Sequence, residues 1–162
     1  MGRKTMTITV GTNSYVTRQE LIDYAAARGI TVPDTSETDV LLINATDFME
    51  TYEGRYVGSR ATAEQALAWP RQGVVLRGFE VPEDEVPELV KQVQKEIALD
   101  LQAGVDLYNR QDRQIVTRER VDGAVEVAYA TPNVVGVRLQ QSKAMNLLRL
   151  ITTGGTITLE RR

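Results

Sequence analysis

Between residues 85 and 102, Val86, Val90, Val93, Ile97 and Leu101 recur at intervals of three and four, and Leu89 widens the row. That spacing places them on one face of an α-helix, and no other stretch of the chain is as regular. It predicts a helix from Glu85 to Gln102 with a polar outer side. One apolar stripe cannot be left in water, so the remaining chain must supply partners that cover it. An acidic run, Glu80, Glu83, Asp84, Glu85 and Glu88, stands at the start of this helix, where the dipole favours negative charge. Pro87 fits its first turn.

Two further helices are expected upstream. Thr17 with Glu20 three residues on is a capping box, Leu21, Ile22 and Ala25 form an apolar face, and Gly29 stops the helix. A second helix starts at Thr35 or Ser36 with Asp39 in its first turn. It carries Leu41, Ala45, Phe48 and Tyr52 inward and ends at Gly54. After residue 110 the apolar period changes from 3.6 to two. Ile115, Thr117, Glu119 and Val121, then Val125, Val127 and Tyr129, flank Asp122-Gly123, a hairpin signal over 114–130. A turn over 131–136 leads to a C-terminal helix over 139–153, with Leu139, Met145, Leu148 and Ile151 inward. The fold class is therefore mainly α: a small helical bundle with one β-hairpin and extended N- and C-terminal segments. The 162 residues fit a single domain, with residues 1–13 as an N-terminal arm and 154–162 as a tail after Gly154-Gly155. Met6, Ile8 and Val10 alternate with threonines in the arm, a weak edge-strand pattern.

Composition narrows the chemistry. Cysteine is absent, so disulfides, thiol nucleophiles and thiolate metal sites are excluded. Histidine is absent too, which removes the commonest general base and zinc ligand. Carboxylates, lysine and tyrosine remain, yet no phosphate-loop, dinucleotide, calcium or zinc spacing is present. We therefore expect no enzyme, with no catalytic, cofactor-binding or metal residues. No apolar run approaches the ~20 residues of a membrane span, and no signal peptide is recognisable, so an intracellular protein is expected. Asn44-Ala45-Thr46 matches a glycosylation pattern by chance, inside a predicted helix. The acidic run could hold a divalent cation; helix-dipole compensation is the preferred reading, because ligand spacing is lacking.

Residues 54–79 are of another kind. Four glycines and Pro70 interrupt them, and Arg55, Arg60, Arg71 and Arg77 face a single Glu64. One helical turn fits 62–69, with Thr62 as its cap. The arginines suit either phosphate contacts or pairing with the acidic run on the same or a neighbouring subunit. Trp69, the single tryptophan, could stack on a base together with Tyr56 and Phe79. The preferred reading is a bolt: Trp69 and Pro70 anchor the loop to the helices, and Arg71 continues to the surface.

The stretches NSYVTRQELIDYAAARG, DFMETYEGRYVGSRAT, QALAWPRQG, VPEDEVPELVKQVQKEIALDL and VTRERVDGAVEVAYA, in this order, resemble a phage head–tail connector family. Its members are adaptor, or head-completion, proteins of tailed phages, often labelled DnaT-like single-stranded-DNA-binding proteins. The resemblance spans about residues 13–150; the long N-terminal arm and the tail TTGGTITLERR depart from it. It implies a mostly helical subunit in a homo-oligomeric ring of about twelve copies. The ring would sit between portal and stopper or tail-completion protein in the neck of the virion. Double-stranded DNA would pass through its lumen without sequence specificity. The subunit would be made in the cytoplasm of the bacterial host, without membrane contact. A net charge of −3 suits a lumen along which DNA slides. Arg55, Arg60 and Arg71, with Asp122 and Gly123 at the hairpin turn, are the expected subunit interface. Ile157, Leu159, Arg161 and Arg162 are the expected portal-binding residues. The alternative is a single-stranded-DNA-binding protein of phage origin, which needs a groove of exposed aromatic and basic side chains.

Overall fold

The computed structural model describes residues 7–108 and 142–153. Among them are four helices: α1 (Arg18–Ala26), α2 (Ser36–Glu50), α3 (Glu88–Gln102) and α4 (Lys143–Leu150). Between α2 and α3 lie two small antiparallel hairpins. In one, β1 (Ser59–Arg60) pairs with β2 (Arg71–Gln72); in the other, β3 (Val75–Leu76) pairs with β4 (Phe79–Glu80). The described part is thus a mainly helical domain with two minor hairpins. None of its helices is long and apolar enough to cross a membrane.

The regular stripe of α3 is the centre of the packing. α2 and α4 both lie against it, and α1 touches α2 and α3. Val90, Val93 and Ile97 are buried there beside Leu21, Leu42, Met49, Trp69, Leu148 and Ile151. The helix begins three residues later than its stripe suggests. Pro87 is the N-cap rather than a first-turn residue, and Val86 packs on the core from the preceding loop.

Local chemistry explains α1. The Thr17 side chain accepts from the Glu20 N–H, and the Glu20 carboxylate accepts from the Thr17 N–H, closing the capping box. Gly29 takes the left-handed φ of +72° at the far end. Arg18 binds Asp39 through Nε and Nη2 at 2.7 and 2.6 Å and Asp34 at 2.8 Å, tying the start of α1 to that of α2. α2 stops at Glu50, before Gly54, which lies in a 3₁₀ turn over Glu53–Arg55. Its buried face is Leu42, Ala45, Phe48 and Met49, rotated from the expected row; Tyr52 lies beyond the helix.

Three further expectations differ. The segment before α1 is not simply extended: it turns at residues 11–13, and Ser14, Tyr15 and Val16 are buried in the core. Residues 62–69 form no helical turn; the Gln65 side chain accepts from the Thr62 N–H and donates to the Leu67 and Pro70 carbonyls, holding an irregular loop. The C-terminal helix is shorter than expected and starts after Ser142, whose hydroxyl accepts from the Met145 N–H. Leu139, the hairpin expected over 114–130 with Asp122 and Gly123, and the tail with Ile157, Leu159, Arg161 and Arg162 lie outside the described residues.

Candidate functional site

The central side chains of the arginine loop turn inward, while Phe79 at its end is exposed. Trp69 is 2% exposed, with its ring 5.6 Å from that of the buried Tyr56. The Tyr56 hydroxyl donates to the Met49 carbonyl at 2.7 Å, fixing the pair to the end of α2. The Trp69–Pro70 peptide is cis. Burial pushes the Tyr56 phenol far above its usual range.

Arg71 corrects the expectation that it reaches the surface. It is 6% exposed, and its guanidinium donates to the carbonyls of Val57, Gly58 and Ala68 at 2.8, 2.9 and 3.3 Å. A guanidinium has five fixed donors, and here they satisfy backbone acceptors that the irregular loop cannot pair with itself. Gly58 belongs to the same knot: its φ is +72°, and a Cβ would overlap the Gln72 carbonyl. Arg60 is half-buried, paired with Glu53 and donating to the Gln65 carbonyl. That ion pair holds the Glu53 carboxyl below the usual range. Arg55 is exposed, with its guanidinium 5.8 Å from the Tyr52 ring centre. Arg77 sits at the tip of the β3–β4 hairpin. Of the four arginines, Arg71 and Arg60 are therefore committed to the loop itself.

Two polar groups that the sequence did not single out, the half-buried Glu50 and the buried Gln94, connect the loop to the helices. Glu50, near the end of α2, accepts from the Tyr15 hydroxyl and from the Ala68 N–H at 2.8 Å. The Trp69 N–H in turn donates to the Tyr15 oxygen at 3.3 Å. Gln94 is fully buried in α3. Its Oε1 accepts from the Tyr15 N–H at 2.9 Å, and its Nε2 donates to Ser14 Oγ, the Leu42 carbonyl and Thr46 Oγ1 at 2.8–3.0 Å. Its signal in the sequence was a polar residue on the apolar stripe, four after Val90 and three before Ile97.

Burial raises the pKa of Glu50, while the bonds from Tyr15 and Ala68 oppose the shift. The folded chain thus binds this proton more tightly than the unfolded chain does. Its contribution to stability is greatest at low pH and falls as pH rises from the ordinary glutamate value of ~4.3 through the higher folded value. Glu50→Gln does not titrate and should gain on the wild type across that window. Urea midpoints of both proteins over a pH series would check this; a difference that stays flat with pH would refute the assignment.

The acidic run points outward. Glu80, Glu83, Asp84 and Glu85 are exposed, and Glu88 pairs with Lys95 at 2.9 Å. Among the described residues no group of three His, Cys, Asp or Glu side chains could hold a metal ion. The described body is acidic as a whole: residues 7–108 and 142–153 hold ten lysines and arginines against seventeen aspartates and glutamates.

A family profile with the description "Putative DnaT-like ssDNA binding protein" matches residues 4–162. The chain belongs to this family. The match of the DnaT-like profile takes in the arginine loop, all four helices and the C-terminal tail. No curated protein and no solved structure matches the chain.

Proposed function

We propose that this DnaT-like family member is a structural, non-enzymatic subunit of a tailed-phage neck, an adaptor that forms a ring between portal and stopper or tail-completion protein. The observation that carries the reading is the inward fold of the Trp-Pro-Arg stretch. Trp69 and Tyr56 are core, and Arg71 is consumed by backbone carbonyls, so of the three rings expected to stack on bases only Phe79 stands outward, and one exposed ring beside Arg77 makes no stacking platform for successive bases. Stacking on bases requires exposed rings. The acidic described body opposes a polyanion as well. The outward apolar groups at the β3–β4 hairpin suit contact with protein. The resemblance of the quoted motifs supplies the portal, the twelvefold ring and the double-stranded DNA in its lumen. In this reading Arg55 faces a neighbouring subunit, and Ile157, Leu159, Arg161 and Arg162 grip the portal.

The family description favours the second reading, single-stranded-DNA binding, and the comparisons offer nothing for a portal. The basic excess of the chain lies in residues 1–6, 109–141 and 154–162, with nine lysines and arginines against five acidic residues, and a DNA contact would use those segments.

Two assays on the full chain separate the readings. The adaptor co-sediments with portal-bearing capsids and leaves the anisotropy of a labelled single-stranded oligonucleotide unchanged at low salt. A salt-sensitive anisotropy rise without capsid binding would establish the second reading instead. Within the adaptor reading, Arg55→Glu should change stability by less than ~0.5 kcal/mol, as exposed substitutions do, and should reduce incorporation into particles. Normal yields of infectious particles with Arg55→Glu would remove Arg55 from the interface.

A further inference from the structure

The β3–β4 hairpin carries the most exposed large apolar side chain described, Phe79 at 78%, and Val75 at 56%. Leu76 and Phe79 are cross-strand partners, so they share one face. Arg77 and Gly78 form the two-residue turn, both with positive φ, +54° and +85°. Asn or Gly is the favoured residue where Arg77 stands. Keeping a long cation there costs backbone strain.

A recess of about 300 Å³ lies elsewhere on the body, lined by Asn44, Asp47, Leu101, Val105, Asp106, Leu107 and Tyr108. Its walls mix Leu101, Val105, Leu107 and Tyr108, the last 64% exposed, with Asn44 and the exposed acids Asp47 and Asp106. Among the described residues no cation pairs with either carboxylate, and no carboxylate pairs with Arg77. Hairpin and recess belong to opposite ends of α3. The Val81 N–H bonds the Val74 carbonyl at the hairpin base, and the chain then enters the N-terminus of α3. The recess follows its C-terminus, and fifteen residues of helix rise ~22 Å. A hairpin therefore cannot readily fill the recess of its own chain.

We propose that Phe79 and Arg77 of one copy seat in the α2–α3 recess of a second copy. Phe79 covers Leu101, Val105 and Tyr108, and the Arg77 guanidinium pairs with Asp47 and Asp106. Knob and socket are different surfaces, so the contact is head-to-tail and can be repeated from copy to copy, closing into a ring where the rotation allows. This rests on the assembly reading above and names its contact.

The cysteine-free chain allows a direct test. Full-length Glu80→Cys and Asn44→Cys proteins, which keep Phe79 and Tyr108 and place the thiols beside hairpin and recess, are mixed and oxidised, each retaining its wild-type circular dichroism. The mixed disulfide dimer should form several-fold faster than either homodimer. Adding Arg77→Glu to the Glu80→Cys protein should slow it several-fold. Mixed and self cross-linking at equal rates, or indifference to Arg77→Glu, would overturn the contact. Cross-linking reads the meeting of two copies alone. A failure to bind capsids would sink the adaptor reading and leave this result standing.

Discussion

Trp69→Ala is expected to lower the stability of the folded chain by ~3–5 kcal/mol, the usual range for emptying a large aromatic site in a core. The ring is almost completely enclosed and is shared between the irregular loop and the end of α2. Alanine would leave a void bordered by Tyr56, and the loop backbone, fixed by Arg71 and Glu50, cannot collapse into it. Among the described residues the indole Nε1 has no hydrogen-bond partner, so Trp69→Phe, which keeps most of the ring volume, should cost markedly less. Urea unfolding followed by far-ultraviolet circular dichroism measures both variants, since removing the sole tryptophan abolishes its fluorescence. Unfolding midpoints for Trp69→Ala close to wild type would show the ring to be exposed and would reopen base stacking.

Gln94→Leu is the second large effect, ~2–4 kcal/mol of destabilisation despite a similar volume and greater hydrophobicity. The principal cost is the Tyr15 N–H, which would lose its acceptor inside the core. The Ser14 and Thr46 hydroxyls suffer less, because each also has a backbone carbonyl, of Val16 and Leu42. Gln94→Glu keeps an acceptor for Tyr15 but turns a donor into a second carboxylate oxygen against the Leu42 carbonyl, so it should also destabilise, increasingly with pH. Equal urea midpoints for Gln94→Leu and wild type would mean that this network is not needed to hold the N-terminal segment against α2 and α3.

What could be read from the sequence was what is decided within one or two turns of chain. The Thr17–Glu20 capping box and the stripe from Val90 to Leu101 are of this kind, and both stand in the structure with small changes of boundary. The loop from 54 to 80 was not legible, because partners distant in sequence shape it. Arg60 pairs with Arg71 across a hairpin whose connection has no repeating pattern. Whether Arg71 turned outward or inward depended on three carbonyls left without N–H partners, a quantity that no local motif expresses. Gln94 left a visible mark as a polar residue on an apolar face, but its partners lie 48 to 80 residues away. The same contrast applies to the candidate site: the presence of Trp69 and the arginines was evident, and their direction was not.

The seam between the segment after α2 and the segment after α4 carries its own consequence. The Val57 N–H bonds the Ile151 carbonyl, Tyr56 bridges Thr152, and the Thr153 N–H bonds the Arg55 carbonyl at 2.6 Å. The 3₁₀ turn after α2 is therefore finished by residues nearly a hundred positions later. During synthesis the first three helices must wait, with the flank of α3 that α4 later covers still open to water. Closing so long a loop is entropically slow, and uncovered apolar surface invites association with other nascent chains. Productive folding of this protein is thus a race that the last helix has to win.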